Sequence, residues 1–299
     1  MKIAVVDIGS NTIKMKIYEL CDGKLIETHS TVRHAKLISY IKEGNMSAEG
    51  IVLLCNTILE FKAIATQEAA DIFSCFATAS LRRTQNIDTI TKEVHNICGE
   101  TVDLVSGDDE AFYSFSGVIN TAESFPAEAL LLDMGGGSTE AVLCKNKKSI
   151  CSESMSFGSL SLYLELGERG FDIMGTTAAE YLKKTKLYPF TCENAVLVGG
   201  TALSIAALYK HFYKNSEKYK MEYGKLAEMY SYLKKYDCDV LNILNKITPD
   251  RVTTVIPGLA AFLGIFDACG IKNISVSTSG IREGYVYEKI LKQNGDRPQ

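Results

Sequence analysis

Two segments of this chain repeat one pattern about a domain's length apart, and this repeat limits the folds open to the chain. In each copy, at residues 4–12 and 130–139, an apolar run ends in Asp, passes through a turn rich in Gly, Ser or Asn, and continues as a second apolar strand. A lone copy is typical of an ordinary hairpin turn. Because an internal repeat with this spacing is best explained by duplicated architecture, the sequence predicts two related domains that face one phosphate-bearing ligand.

Both turns suit phosphate binding. Glycine lets backbone N–H groups approach phosphate oxygens closely, and a strand-end aspartate can hold a hydrated cation that the phosphates share. The predicted phosphate-binding residues of the two turns are Gly9, Ser10, Asn11, Thr12, Gly135, Gly136, Gly137 and Ser138. The predicted metal ligands are Asp7, Asp133 and Glu140, with Mg²⁺ as the ion and Mn²⁺ as the alternative. A solvated hairpin with surface acids is the competing interpretation of the second turn.

Length and composition describe an ordinary globular protein. With 299 residues, 46% of them hydrophobic, the chain is long enough for two domains. The net charge of −4 argues against a general nucleic-acid binder, which normally has a basic face. No secretory signal and no apolar run of membrane-spanning length is visible, so we expect a cytoplasmic protein without membrane contact. Nine cysteines without C-x-x-C spacing indicate reduced thiols.

The predicted elements fall into two similar series. Three strands and a helix are followed by alternating strands and helices, and a polar segment with a proline at residues 121–126 is the best linker. The second series begins with three strands again, followed by a helix at about residues 158–167, a strand over residues 194–198 and a helix from Thr201. A mostly helical region continues from there to about residue 267, before a last strand and a terminal helix. We expect one helix over residues 80–98, and breaks in the helical region at Thr248–Pro249 and Pro257–Gly258.

Three further segments suit an anion, each with a structural alternative. Thr78 and Arg82 stand where a strand ends and a helix starts, which favours an anion or a plain helix cap. A strand also leads into Gly199, Gly200 and Thr201, a turn for a phosphate or nucleotide, or for tight packing. Arg282 either binds phosphate or ties the terminal helix down.

Three adjacent acids, Asp108, Asp109 and Glu110, precede a predicted helix. Acids in this position cap a helix and interact favourably with its dipole, which is a sufficient structural explanation. Adjacent carboxylates also repel one another, and this raises the proton affinity of at least one of them. Such a group is suited to deprotonating a water nucleophile.

The chain as a whole resembles the exopolyphosphatase / guanosine pentaphosphate phosphohydrolase family. The motif from Asp133 to Glu140 is highly specific for this family, and the whole set of motifs in this order is more specific than any one of them. The matching motifs are Asp7-Ile8-Gly9-Ser10-Asn11-Thr12, Ala77-Thr78 with Leu81-Arg82, Ser106-Gly107 with Glu110-Ala111, Asp133 to Glu140, Val198-Gly199-Gly200-Thr201, Ile256-Pro257-Gly258 and Arg282-Glu283-Gly284. This family belongs to the actin, sugar kinase and heat-shock ATPase superfamily.

The resemblance implies an α/β fold with two ribonuclease-H-like domains around a central cleft. The first domain would comprise residues 1–122, with a C-terminal helix over 283–299 packed on it, and the second would comprise residues 123–282. Relatives often have Asp where Thr253 and Thr278 stand, which bears on the metal or cleft geometry of the second domain.

The resemblance also implies roles. Glu110 would be the general base that activates water, Arg82 would hold the phosphate chain, and Asp133 and Glu140 would bind Mg²⁺. The implied activity is release of terminal orthophosphate from inorganic polyphosphate or guanosine pentaphosphate. A phosphotransferase of the same superfamily and a non-catalytic polyphosphate or alarmone sensor are the alternatives. A homodimer that lengthens the path of the polyanion is a further expectation.

Overall fold

The computed structural model describes residues 1–82, 84–214 and 219–292. The chain divides into two compact units: the first comprises Met1–Tyr113 and the chain from Ile281 onward, and the second comprises Ser114–Gly280. Each unit is a mixed sheet with helices, which confirms the predicted α/β class. The predicted C-terminal helix lies outside the described residues from position 293 onward.

The first unit is built on a five-stranded sheet. The five strands of this sheet are β1 (Lys2–Ile8), β2 (Ile13–Cys21), β3 (Lys24–Arg33), β6 (Ile72–Ala77) and β7 (Val102–Leu104), and a separate two-stranded ribbon is formed by β4 (Ile41–Lys42) and β5 (Asn45–Met46). Its helices are α1 (Ala48–Gln67), α2 (Ala79–Arg82), α3 (Ile87–Cys98), the start of α4 (Gly107–Thr121), and a terminal helix (Ile281–Tyr285) that continues as a π-helical turn (Val286–Leu291). The sheet order is β3–β2–β1–β6–β7, with β1 to β3 antiparallel and β6 and β7 parallel to β1.

Strand β1 is buried on both faces. Successive side chains of a strand point to opposite faces, so Ala4, Val6 and Ile8 join the core that α1 and α3 cover. Ile3 and Val5 join a second core with residues of the terminal helical segment. Complete burial stabilises an apolar side chain of this size by roughly 1.5–3 kcal/mol, so the sheet of the first unit gains from covers on both faces.

The predicted helix over residues 80–98 is wrong in one respect, because two helices, α2 and α3, occupy that stretch. The short β4–β5 ribbon holds the segment between them. The Asn86 side chain accepts a hydrogen bond from Met46 N and donates one to Met46 O, both at 2.9 Å, and Gln85 N donates to Gly44 O at 2.7 Å. Gln85 N thus bonds to a distant segment and not to the preceding helical turn, and the Asn86 side chain anchors the start of α3 to the same ribbon.

The second unit repeats the architecture of the first. Its strands are β8 (Glu128–Met134), β9 (Thr139–Lys145), β10 (Lys148–Met155), β11 (Asn194–Val198), β12 (Lys220–Glu222) and β13 (Asn273–Val276), in the order β10–β9–β8–β11–β13–β12. The first five positions of this order have the same strand directions as the first sheet. The duplication predicted from the two turns is therefore confirmed, and β12 is an added antiparallel edge.

The helices of the second unit differ from expectation at two points. They are α5 (Ser159–Leu166), α6 (Phe171–Lys183), α7 (Gly199–Tyr213), α8 (Tyr223–Leu233), α9 (Cys238–Ile247) and α10 (Val255–Cys269). Helix α6 was not predicted, and the predicted break at Pro257–Gly258 is wrong because both residues lie in the first turn of α10, where a missing N–H costs nothing. Among the described residues, even the apolar α10 is too short to span a membrane, and no other helix qualifies.

All nine cysteines are free thiols, and several are buried. Burial raises the pKa of Cys55 and Cys144 to about 12 and that of Cys269 to about 11, from 9.0. Above pH 9 the unfolded chain therefore releases protons that the folded chain keeps. The free energy of unfolding should be unaffected by these thiols below pH 9 and should then fall by about 1.4 kcal/mol per pH unit for each of them.

Urea unfolding between pH 8 and 10.5 measures this loss. Cys144→Ala should reduce the slope by the contribution of one thiol, whereas Cys238→Ala, which removes an exposed thiol, should leave it unchanged. Equal slopes for the unmodified protein and Cys144→Ala would contradict the expected titration.

Candidate functional site

In the first unit, the turn between β1 and β2 has a fixed backbone. Gly9 N donates to Thr12 O at 3.1 Å, and a Cβ on Gly9 would lie 3.0 Å from the same oxygen. The carbonyl oxygens of Ser10 and Asn11 accept bonds from Ile38 N and Lys36 N. These contacts orient the peptide groups of the predicted phosphate turn.

Asp7, at the end of β1, forms an ion pair with Arg282. Arg282 Nη1 lies 3.0 Å from Asp7 Oδ2, and both side chains are largely buried. Burial opposes the charge of Arg282, but Asp7 and Glu283 outweigh it, and the pKa of the guanidinium is raised. Of the two interpretations of Arg282, the contact with Asp7 favours the anchoring of the terminal helix. Phosphate binding by Arg282, and metal binding by Asp7, stay predictions.

The two predicted catalytic residues contact each other. Arg82, the last residue of α2, lies with Nη1 3.1 Å from Glu110 Oε2 in the first turn of α4, and it also donates to Val105 O. Glu110 is only 5% exposed. Thr78 starts α2, since its carbonyl oxygen accepts bonds from Leu81 N and Arg82 N. The first unit thus holds a buried carboxylate against a guanidinium beside the end of β6.

The three adjacent acids have different surroundings. Ser106 Oγ accepts a bond from Asp109 N at 3.0 Å and donates to Asp109 Oδ2 at 2.7 Å, which caps α4. Asp108 and Asp109 are exposed, whereas Glu110 is buried. Capping of α4 therefore explains the acid at position 109. It does not explain the buried acid at position 110.

In the second unit, the start of α5 holds the turn between β8 and β9. Ser159 N donates to Gly135 O at 3.0 Å, and Leu160 N and Ser161 N donate to Gly136 O at 3.0 and 2.9 Å. Gly158 permits this approach, because a Cβ there would lie 2.5 Å from Gly135 O. The first N–H groups of α5, which have no partner within their own helix, thus donate to the carbonyl oxygens of the turn.

Asp133 and Glu140 flank this turn as direct partners in the β8–β9 register, so their side chains project from the same face of the sheet. Ser114 Oγ donates to Asp133 Oδ2 at 2.5 Å, and Ser154 Oγ donates to Glu140 Oε1 at 2.9 Å. Glu140 is 4% exposed. Two carboxylates, each accepting a hydrogen bond from a serine hydroxyl, are therefore held next to the turn.

The turn that starts α7 lies between a carboxylate and a guanidinium. Gly199 has φ +93°, and a Cβ there would lie 2.8 Å from Asp133 Oδ1. A Cβ on Gly200 would lie 2.1 Å from Arg251 Nη2, so the guanidinium rests against the glycine backbone. Arg251 Nη1 also donates to Thr201 Oγ1 at 3.4 Å, and burial lowers the pKa of Arg251. The turn is therefore packed tightly and also lies beside a positive charge. The first feature agrees with the packing interpretation of its sequence and the second with the phosphate interpretation.

The donor set of the second unit fits Mg²⁺. This ion takes one or two carboxylates and completes its octahedron with water and phosphate oxygens, and Mn²⁺ accepts the same ligands. Asp133 and Glu140 supply two carboxylates on one face. Within the described ranges, no group of three or more His, Cys, Asp and Glu side chains could hold a metal without such additional ligands.

Sequence reasoning missed Arg251 and the start of α5. Arg251 stands between α9 and α10 and lies fifty positions from Thr201 in the turn it contacts, so nothing in its local sequence pointed to a role. Gly158 stands at the start of a predicted helix, where a glycine is unremarkable. Neither residue belongs to a local motif that phosphate chemistry would identify.

Comparison with known proteins identifies relatives along the whole chain. The model of the Ppx/GppA phosphatase family matches residues 17–293. A "guanosine-5'-triphosphate,3'-diphosphate pyrophosphatase" of Vibrio parahaemolyticus is 24% identical over 98% of this chain and 61% of its own length. A protein of the same name from Pseudoalteromonas translucida is also 24% identical, over 96% of this chain and 59% of its own. The chain spans about 60% of the length of these curated relatives.

Solved structures agree on the fold. The Aquifex aeolicus member of the Ppx/GppA family has a TM-score of 0.81 at 24% identity, covering 98% of this chain and 99% of the other. An exopolyphosphatase from Cytophaga hutchinsonii has a TM-score of 0.86 at 18% identity, covering 100% and 99%. These similarities confirm the predicted fold, in which each unit has the actin-like, ribonuclease-H-like arrangement.

Proposed function

The chain belongs to the Ppx/GppA phosphatase family, and on that premise we propose that it is a phosphoanhydride hydrolase. It releases terminal orthophosphate from inorganic polyphosphate, from guanosine pentaphosphate, or from both. The observation that carries this proposal is the position of Gly199 and Gly200 between the Asp133 carboxylate and the Arg251 guanidinium. A phosphate that arrives with a divalent cation needs a carboxylate for the cation, and a guanidinium and backbone N–H groups for its own oxygens.

Glu110 acts as the general base. Its carboxylate takes a proton from the attacking water, the water oxygen forms a bond to the terminal phosphorus, and the bridging P–O bond breaks with its electrons on the shortened chain. The guanidinium of Arg82 orients the Glu110 carboxylate through the contact at 3.1 Å. In this proposal the main role of Arg82 is to orient Glu110. Only the N–H groups of Arg82 that do not contact Glu110 or Val105 O could bind the phosphate chain.

The second unit binds the transferred group. Backbone N–H groups of residues 136–138 and of the turn at residues 199–201, with the Arg251 guanidinium, stabilise charge on the phosphate oxygens, because the N–H of Gly135 already closes the turn onto Ser138 O. Asp133 and Glu140 would hold Mg²⁺, which supplies positive charge to the phosphate oxygens when it is bound. Because α5 fixes the carbonyl oxygens of the turn, its N–H groups need no rearrangement when the substrate binds.

Arg251→Ala should raise KM for the substrate by roughly 10- to 100-fold, because a charge-assisted hydrogen bond contributes about 1.5–3 kcal/mol. Arg251→Lys keeps the charge but loses the planar contact with Gly200, so its KM should lie between that of the unmodified protein and that of Arg251→Ala. Steady-state phosphate release measures both. Arg33→Ala, which removes an exposed guanidinium paired with Glu60, is the matched control. An unchanged KM in Arg251→Ala would contradict the assignment.

The function is tested by measuring orthophosphate release from long polyphosphate, tripolyphosphate, guanosine pentaphosphate and ATP, with Mg²⁺ or Mn²⁺ and with a chelator. Release from polyphosphate or the pentaphosphate that stops with the chelator supports the hydrolase. ADP formation from ATP that depends on an acceptor would indicate a phosphotransferase instead. Tight binding of polyphosphate without any release would indicate a sensor.

A further inference from the structure

We propose that Arg282 and Glu283 clamp the two strands that carry the first phosphate turn, and that Asp7 serves this clamp instead of binding the metal ion. The inference rests on the proposed function in so far as that function uses a divalent cation. It assigns a positioning role to the start of the terminal helix, and it leaves the carboxylates of the second unit as the metal ligands.

Consecutive residues of the terminal helix reach the strands on both sides of the turn at residues 9–12. Arg282 binds Asp7, the residue two positions before the turn, at 3.0 Å. Glu283 Oε1 accepts bonds from Tyr18 OH at 2.5 Å and from Lys16 Nζ at 3.1 Å, on the strand that follows the turn. One short helix thus contacts both the end of β1 and the middle of β2.

The clamp is buried. Glu283 is 3% exposed, and the Asp7 and Arg282 side chains are 16% and 17% exposed. Arg282 Nε is the one buried side-chain nitrogen or oxygen without a hydrogen-bond partner in the part of the chain that the structure describes. The guanidinium thus forms an ion pair with Asp7 and stays buried although one of its N–H groups is left unbonded.

A guanidinium at this distance already compensates the charge of Asp7. A divalent ion bound to the same carboxylate would lie within a few ångströms of the Arg282 charge, and the two cations would repel strongly in a site so poor in water. At Asp133 and Glu140, by contrast, the hydroxyls of Ser114 and Ser154 donate hydrogen bonds, and a hydroxyl brings no charge of its own to the site. The two aspartates of the repeated turns have thus acquired different roles.

The metal half of the inference is tested by Mn²⁺ binding, read by electron paramagnetic resonance in the presence of imidodiphosphate, so that no turnover is needed. Asp7→Asn should bind Mn²⁺ with a Kd within twofold of that of the unmodified protein, whereas Asp133→Asn should raise the Kd at least tenfold. Asp88→Asn, an acid in the first turn of α3, is the matched control. A tenfold higher Kd in Asp7→Asn would overturn the inference.

The clamp itself is tested by thermal melting of a double-mutant cycle. Arg282→Gln and Asp7→Asn each leave one buried charge without its partner, so each should lower Tm by several degrees. The double variant Asp7→Asn/Arg282→Gln removes both charges and should regain at least half of the larger loss. It also supplies a folded protein for the Mn²⁺ titration if a single variant does not fold.

A double variant whose Tm falls by the sum of the two single losses would overturn the clamp. Failure of the unmodified protein to bind Mn²⁺ would instead overturn the metal requirement of the proposed function, and the melting cycle would then decide the clamp alone. A double variant that melts as expected but has lost Mn²⁺ binding would assign Asp7 to the metal after all.

Discussion

Glu110→Gln should lower kcat for phosphate release by about a thousandfold, the middle of the range for loss of a general base. The substitution keeps the shape of the side chain and removes its ability to accept the proton of the attacking water. Substrate binding is assigned to other residues, so KM should change by less than about threefold. Steady-state phosphate release with Mg²⁺, at substrate concentrations from well below KM to saturation, measures both constants.

Asp108→Asn is the matched control for this prediction, because Asp108 is an exposed acid two positions away on the same helix. It should keep at least half of the activity. If Glu110→Gln retains more than a tenth of kcat, water is activated by another group and the proposed role of Glu110 is wrong. Equal losses in both variants would indicate damage to the start of α4.

Gly158→Ala should reduce phosphate release at least a hundredfold and lower the stability of the second unit. The backbone of Gly158 is extended, with φ −145°, so alanine meets no conformational strain. Its Cβ would lie 2.5 Å from Gly135 O, 2.6 Å from Gly136 C and 2.7 Å from Gly137 N. These are backbone atoms of the phosphate turn, so the turn must move. Overpacking of this kind costs roughly 1–3 kcal/mol.

Activity and Tm together test this second prediction. Gly224→Ala, at a helical position with no atom within 4 Å of the added Cβ, should leave activity unchanged and Tm equal or slightly higher. A Gly158→Ala protein that melts normally and remains active would show that the turn tolerates displacement. Its N–H groups would then not be the rigid donors that the proposed mechanism requires.

The repeated turn was enough to predict the duplicated fold, because its chemistry is local. Helix α6 was missed for the opposite reason. Its sequence contains Gly175 and two adjacent threonines, which are poor helix formers, and the helix is held by contact with α10. A Cβ on Gly264 would lie 1.9 Å from Gly175 O, so the two backbones touch. Packing between segments ninety positions apart leaves no mark on the local pattern of either segment.

The candidate site follows the same division. The acids and glycines next to a strand end were identifiable from the sequence, since each lies in a motif with its own chemical logic. The surroundings that distinguish Glu110 from Asp109 were not, because they depend on Arg82, which is 28 positions away. Arg251 and its contact with Gly200 are likewise a product of the fold. The resemblance to a family supplied the role of Glu110, and the structure supplied its burial.

The terminal helical segment has a consequence for the order in which the chain can fold during synthesis. The first unit is discontinuous, and the core around Ile3 and Val5 contains Tyr285 and Val286. The second unit is one uninterrupted stretch that is synthesised before those residues, and domains generally fold as units during synthesis. The second unit can therefore reach its native state while one face of the first sheet is still bare. The strand translated first is therefore covered last, and until then one of its apolar faces is open to aggregation.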